Sequence, residues 1–257
     1  SGAQCSGGSD YAYTTWAAMD IDGDHVSDMV LTRDDCSAGA IGRDIWEVYK
    51  GTGSGFSTSA SQWTLPESRN REKVPWYATG GSDSGAQCSG GSDYAYTTWT
   101  LLDIDDDDQL DLVLTRDDCS ANAIGRDAWE IYGGTGSGFS STPDLWTLPS
   151  SRNREKVPWY ATGGSDSGAQ CSGGSDYAYT TWSATDLNGD GAVDLVLTRD
   201  DCSANAIGRD AWEVYGNTGS GFAATADLWS LPDSRNREQV PWYAIGGSDS
   251  GAQCSGG

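Results

Sequence analysis

The chain repeats itself. The string Ser-Gly-Ala-Gln-Cys-Ser-Gly-Gly begins at Ser1, Ser84, Ser167 and Ser250, a period of 83 residues. A period of this kind decides architecture before any local reading. Each unit is one supersecondary piece that buries its apolar face by stacking on a neighbour. The 257 residues therefore divide into repeat 1 (1–83), repeat 2 (84–166), repeat 3 (167–249) and the start of a fourth (250–257). The copies are nearly identical outside an acidic loop and the segment before each Trp-x-Leu-Pro. Such identity points to recent duplication or to design.

One repeat reads as all-β. Residues 1–10 are Gly/Ser-rich and read as a loop. Residues 11–16 are aromatic and β-branched, the signature of a strand. Residues 29–32, 46–49 and 62–65 give three more short strands, and Pro66 closes the last. A fifth extended piece, 74–78, carries Pro75 and is thereby confined to an edge or a strand start. No segment has helical periodicity of useful length. The expected fold is all-β: three tandem repeats, each a four-stranded antiparallel sheet like a propeller blade.

The first two strands are joined by nine residues rich in acids. Repeat 1 has Asp20, Asp22, Asp24 and Asp28 at loop positions 1, 3, 5 and 9. Repeat 2 has Asp103, Asp105, Asp107 and Asp111 there, and repeat 3 has Asp186, Asn188, Asp190 and Asp194. Four hard oxygen donors in nine residues repel one another unless a cation sits among them. Calcium suits the set, because it takes six to eight oxygens in flexible geometry. The carbonyls at position 7, on Val26, Gln109 and Ala192, would supply a further ligand, and water the rest. Three Ca²⁺ are expected, one per repeat. An EF-hand is excluded, since it needs Glu at position 12 and flanking helices. Position 12 here is Leu31, Leu114 or Leu197, and the flanks are strand-like.

Charge and cysteines narrow the setting. The net charge is −23, which argues against nucleic acid and anionic membrane, since both need a basic face. Three Ca²⁺ would leave −17, so metal-free protein should be the less stable form. No apolar run approaches the ~20 residues needed to cross a bilayer. No signal peptide is present, and the chain reads as mature or trimmed. Cys5, Cys36, Cys88, Cys119, Cys171, Cys202 and Cys254 recur at fixed places and lack metal-site spacing. They point to disulfides and an oxidising compartment, so the chain reads as secreted or cell-surface. Two pairings stay open. The set within repeats is Cys5–Cys36, Cys88–Cys119 and Cys171–Cys202, leaving Cys254. The set between repeats is Cys36–Cys88, Cys119–Cys171 and Cys202–Cys254, leaving Cys5.

Each repeat carries four tryptophans, Trp16, Trp46, Trp63 and Trp76 in the first, and each recurs at the period. They read mainly as core between stacked sheets, because large aromatics dominate core energetics. The alternative is a platform for sugar rings. Its candidates are Trp76 and Tyr77, with Trp159 and Tyr160, and Trp242 and Tyr243. No enzyme is expected: there is no repeated His, no G-x-S-x-G and no phosphate loop, and the acids are accounted for by calcium.

A resemblance rests on three stretches: residues 186–196, opening Asp-Leu-Asn-Gly-Asp-Gly; residues 212–222, Trp-Glu-Val-Tyr-Gly-Asn-Thr-Gly-Ser-Gly-Phe; and residues 229–232, Trp-Ser-Leu-Pro. Together they resemble the FG-GAP/VCBS calcium-bearing repeat of integrin α-subunit propellers and of bacterial secreted proteins. The resemblance covers roughly 11–66 of each unit. It implies a four-stranded propeller blade with calcium on Asp20, Asp22, Asp24 and Asp28 and their equivalents. Repeat 2 departs at Asp106, where Gly is usual, and strain is expected there. The number departs too, since closed propellers typically have four to eight blades. An open array, or a ring completed by other copies, is expected. The function these features imply is an extracellular calcium-binding structural or adhesive protein that self-associates into a fibre or array. The alternative is a multivalent carbohydrate-binding module with a glycan partner.

Overall fold

A computed structural model describes residues 2–4, 13–36, 41–42, 44–66, 85–87, 96–117, 124–125, 127–149, 168–170, 179–200, 207–208 and 210–232. All regular structure among them is β, and none forms a helix long and apolar enough to cross a membrane. Repeat 1 contributes β1 (Gly2–Gln4), β2 (Tyr13–Met19), β3 (Asp28–Asp34), β4 (Ile45–Tyr49) and β5 (Ser61–Thr64). Repeat 2 contributes β6 (Gly85–Gln87), β7 (Tyr96–Leu102), β8 (Asp111–Asp117), β9 (Ala128–Tyr132) and β10 (Asp144–Thr147). Repeat 3 contributes β11 (Gly168–Gln170), β12 (Tyr179–Thr185), β13 (Asp194–Asp200), β14 (Ala211–Tyr215) and β15 (Asp227–Ser230).

Each repeat forms one meander sheet in sequence order, β1 to β5, β6 to β10 and β11 to β15. Every described pairing between these strands is antiparallel, as in Gly2↔Thr15 and Met19↔Asp28. The four expected strands are present, and the second runs three residues beyond the expected end, to Met19. A fifth, outer strand was not expected. Gly-Ala-Gln has little β-propensity, and it joins the sheet through main-chain pairing with β2. The extended piece expected at 74–78 lies outside the described residues.

The chain divides into two compact units, Ser1–Asn122 with Glu130–Asp144, and Ala123–Trp129 with Leu145–Gly257. In the first, Ile21, Val30, Trp46, Val48, Trp63, Leu112, Val113 and Leu114 have no exposed surface. In the second, Trp129, Leu195, Val196 and Leu197 are equally buried. Complete burial of one such aliphatic side chain stabilises the fold by about 1.5–3 kcal/mol. The strands alternate, so β4 buries Trp46 and Val48 while Ile45, Glu47 and Tyr49 stay half-buried.

Among the described residues, one aromatic joint recurs between repeats. Phe139 of repeat 2 stands edge-on to two rings of repeat 1, Trp46 at 5.8 Å and Trp63 at 5.5 Å. Trp46 and Trp63 face each other across β4 and β5, and so form a two-ring cleft. In the second unit, Phe222 of repeat 3 stands edge-on to Trp129 at 5.8 Å and Trp146 at 5.5 Å. Edge-to-face pairs of this kind add ~0.5–1.5 kcal/mol beyond the area they bury.

Candidate metal centre

The acidic loop is the hairpin turn between β2 and β3, and between their equivalents. Its path is set by the first aspartate. Asp20 accepts main-chain hydrogen bonds from Gly23 (2.9 Å), Asp24 (3.1 Å) and His25 (2.8 Å). Asp103 accepts from Asp107 (3.1 Å) and Asp108 (3.0 Å), and Asp186 from Gly189 (2.7 Å) and Gly191 (3.1 Å). To wrap its N–H groups around one carboxylate the loop enters the left-handed region twice. Position 4 does so at Gly23 (φ 78°), Asp106 (62°) and Gly189 (81°). Position 6 does so at His25 (64°), Asp108 (68°) and Gly191 (98°). The strain expected at Asp106 is therefore present in its backbone, and His25 and Asp108 share it. At Gly23 there is a steric reason for glycine as well, because a Cβ there would collide with the main-chain oxygen of Asp108.

The last aspartate of each loop is the buried one. Asp28, Asp111 and Asp194 have no exposed surface. Each accepts a hydrogen bond from the turn after β4, β9 or β14: from Gly51 N (2.7 Å), Gly134 N (2.8 Å) and Asn217 N (3.0 Å). Position 9 thus ties the loop to a segment more than twenty residues away. The sequence reading missed that partner. Its only trace is that the partner position is Gly, Gly or Asn in the three copies.

Asp20, Asp22 and Asp28 each bring a carboxylate oxygen to within 4.8 Å of the others, and Asp103, Asp105 and Asp111 do the same. Positions 1, 3 and 9 therefore converge in repeats 1 and 2. Position 5 behaves differently. The carboxylates of Asp24, Asp107 and Asp190 accept the N–H of Val26 (2.8 Å), Gln109 (2.8 Å) and Ala192 (3.0 Å). In repeat 3 the position 3 amide is engaged locally, Asn188 Nδ2 donating to Asp190 at 2.8 Å.

The converging groups fit a cation. Asp22 Oδ1 and Asp28 Oδ2 are buried with no hydrogen-bond partner. A buried, unpartnered carboxylate oxygen costs free energy unless a positive charge compensates it. The electrostatics agree. Burial pushes the Asp111 carboxyl up to about 7; the Gly134 and Ile104 N–H groups oppose the rise, while Asp105 and Asp107 add to it. Burial likewise raises Asp28, Asp103 and Asp105 above the usual carboxylate range, with neighbouring acids adding to each. Repeat 1 has its own answer to the crowding: Lys50 Nζ is ion-paired with Asp22 Oδ2. The equivalents of Lys50 are Gly133 and Gly216, so this cation is a local departure from the repeat.

Outside the loops, Arg33 pairs with Asp35 and lies over the Tyr13 ring, 5.6 Å from its centroid. Cys36 is disulfide-bonded. The other six cysteines, and Trp76, Tyr77, Trp159, Tyr160, Trp242 and Tyr243, lie outside the described residues.

No protein-family model matches the sequence, and no curated protein matches it. Among solved structures, one similar chain comes from work on an Agrocybe aegerita lectin and its recognition of non-reducing terminal N-acetylglucosamine. The likeness covers 87% of this chain and 40% of that one, at 15% identity and a TM-score of 0.36. Another is the Tc holotoxin pore of Photorhabdus luminescens, over 85% of this chain and 12% of that one, at 13% identity and a TM-score of 0.18. This chain spans less than half the length of each of these two proteins.

Proposed function

We propose that the chain is an extracellular calcium-binding repeat protein with a structural or adhesive role, whose units assemble with further copies. The acidic loops are then FG-GAP/VCBS-type calcium loops, each holding one Ca²⁺ and locking the β2–β3 hairpin to the turn after β4, or their equivalents in the other repeats. The observation that carries this reading is the convergence of Asp20, Asp22 and Asp28 with buried, unpartnered oxygens on two of them. The disulfide at Cys36 supports an oxidising compartment, where calcium is also plentiful.

Isothermal titration calorimetry with Ca²⁺ on chelator-treated protein tests it. Three sites are expected. Asp105→Asn should remove the repeat 2 site, while Asp107→Asn, whose carboxylate is held by Gln109 N, should weaken that site less. No heat and no change in thermal stability at millimolar Ca²⁺ would sink the reading.

A further inference from the structure

The joint that links the repeats has two open halves, a knob in repeat 1 and a cleft in repeat 3. Inside the protein a phenylalanine enters a two-tryptophan cleft twice, Phe139 at Trp46 and Trp63, and Phe222 at Trp129 and Trp146. The donor repeat presents its Phe on one fixed turn. Thr135 N donates to Gly138 O at 3.0 Å and Ser140 N to Gly133 O at 2.8 Å. In repeat 3, Thr218 N and Ala223 N make the same two bonds at 2.9 and 2.8 Å. Repeat 1 builds an identical turn, with Thr52 N on Gly55 O at 2.9 Å and Ser57 N on Lys50 O at 2.8 Å. Its Phe56, however, is 45% exposed, where Phe222 is 7% exposed. The glycine before each Phe tells the same story. A Cβ at Gly138 would lie 3.8 Å from Thr64 N, and one at Gly221 would lie 3.6 Å from Thr147 N, whereas one at Gly55 would meet nothing.

The receiving end is open in the complementary way. Trp212 and Trp229 face each other across β14 and β15, as Trp46 and Trp63 do across β4 and β5. Trp63 is fully buried and Trp146 nearly so, but Trp229 is 40% exposed, and no aromatic ring packs on it among the described residues.

We propose that Phe56 of one chain docks between Trp212 and Trp229 of a second copy, reproducing the internal joint between molecules. The occupant is specified by the protein itself, because the same two surfaces already meet twice within it. Such a contact is head-to-tail, and it propagates or closes depending on the rotation it imposes. The proposal rests on the self-assembly part of the proposed function and names its contact; it does not depend on calcium. Copies carrying −23 charges repel, so association should strengthen as salt shortens the screening length.

Sedimentation velocity on the full chain at near-physiological salt, from micromolar to millimolar protein, tests this with two variants. Phe56→Ala removes the knob and keeps the cleft, and Trp229→Ala does the reverse. Both changed side chains are substantially exposed, and unchanged far-UV circular dichroism checks the fold. Wild type should form oligomers, each variant alone should associate on the order of tenfold or more weakly, and an equimolar mixture of the two should stop at 1:1 dimers. Non-reducing gels ensure that no intermolecular disulfide holds the species. Oligomers that persist in both variants would overturn the joint while leaving self-assembly standing. A wild type that stays monomeric throughout would overturn both.

Discussion

Lys50 Nζ is ion-paired with Asp22, the position 3 carboxylate of the first acidic loop. It brings a positive charge to a place that Gly133 and Gly216 hold in the other two repeats. A calcium ion entering the first loop would have to displace this ammonium group; in the other loops glycine stands at its place.

Repeat 1 should therefore be the weakest calcium site. Lys50→Gly is expected to raise its affinity about tenfold, the effect of removing one nearby like charge worth ~1.4 kcal/mol. Calorimetry that resolves three sites checks this: the weakest should move towards the other two. In chelator the same variant should lose stability, because Asp22 loses its only described cation.

The raised carboxylates set a pH dependence with a definite sign. Burial pushes the Asp111 carboxyl up to about 7 in the folded metal-free chain, against an ordinary value of 3.8. A folded value above the unfolded one means that the folded state holds the proton more tightly. The stability this contributes is complete below about 3.8 and is lost as pH rises through about 7. Asp28, Asp103 and Asp105 shift in the same direction. Thermal unfolding in chelator should accordingly fall in midpoint as pH rises from about 4 to about 7. The stabilisation given by added calcium should grow over the same window, with protons released on binding.

Backbone strain in the loops is separable from the metal. His25→Gly relieves a side chain from φ 64° and should stabilise the chain by about 0.5–1 kcal/mol. Gly189→Ala tests the converse. Nothing lies within 4 Å of a Cβ there, so the cost is that of an alanine at φ 81°, about 1–2 kcal/mol. Urea unfolding in chelator, with an unchanged slope, reads both.

The internal joints should behave as core. Phe222 is buried against Trp129 and Trp146, so Phe222→Ala should cost about 3–5 kcal/mol and weaken the aromatic near-UV circular dichroism. Phe56→Ala, with its ring exposed, should cost under about 1 kcal/mol in the monomer. A similar loss from both would mean that the two rings share one environment.

The repeat period, the all-β class, the four main strands and the placing of an acidic loop on the first hairpin were legible in the sequence. These properties are local or periodic. Strand runs end at Gly, Pro and Asp clusters, and loop acids sit at fixed spacing whatever packs around them. Tertiary structure alone decided the rest. It buried Asp28, Asp111 and Asp194 and bonded them to a distant turn, because the β3–β4 pairing carries Gly51 back to the loop. It turned Asp24, Asp107 and Asp190 onto their own loop N–H groups, a choice between two acceptable partners that spacing does not encode. It brought Lys50 to Asp22 across 28 residues of chain. It also gave three identical Phe turns different surroundings, two packed and one open. A residue's burial depends on what neighbours it, and Phe139 and Phe222 meet tryptophan pairs where Phe56 stays exposed.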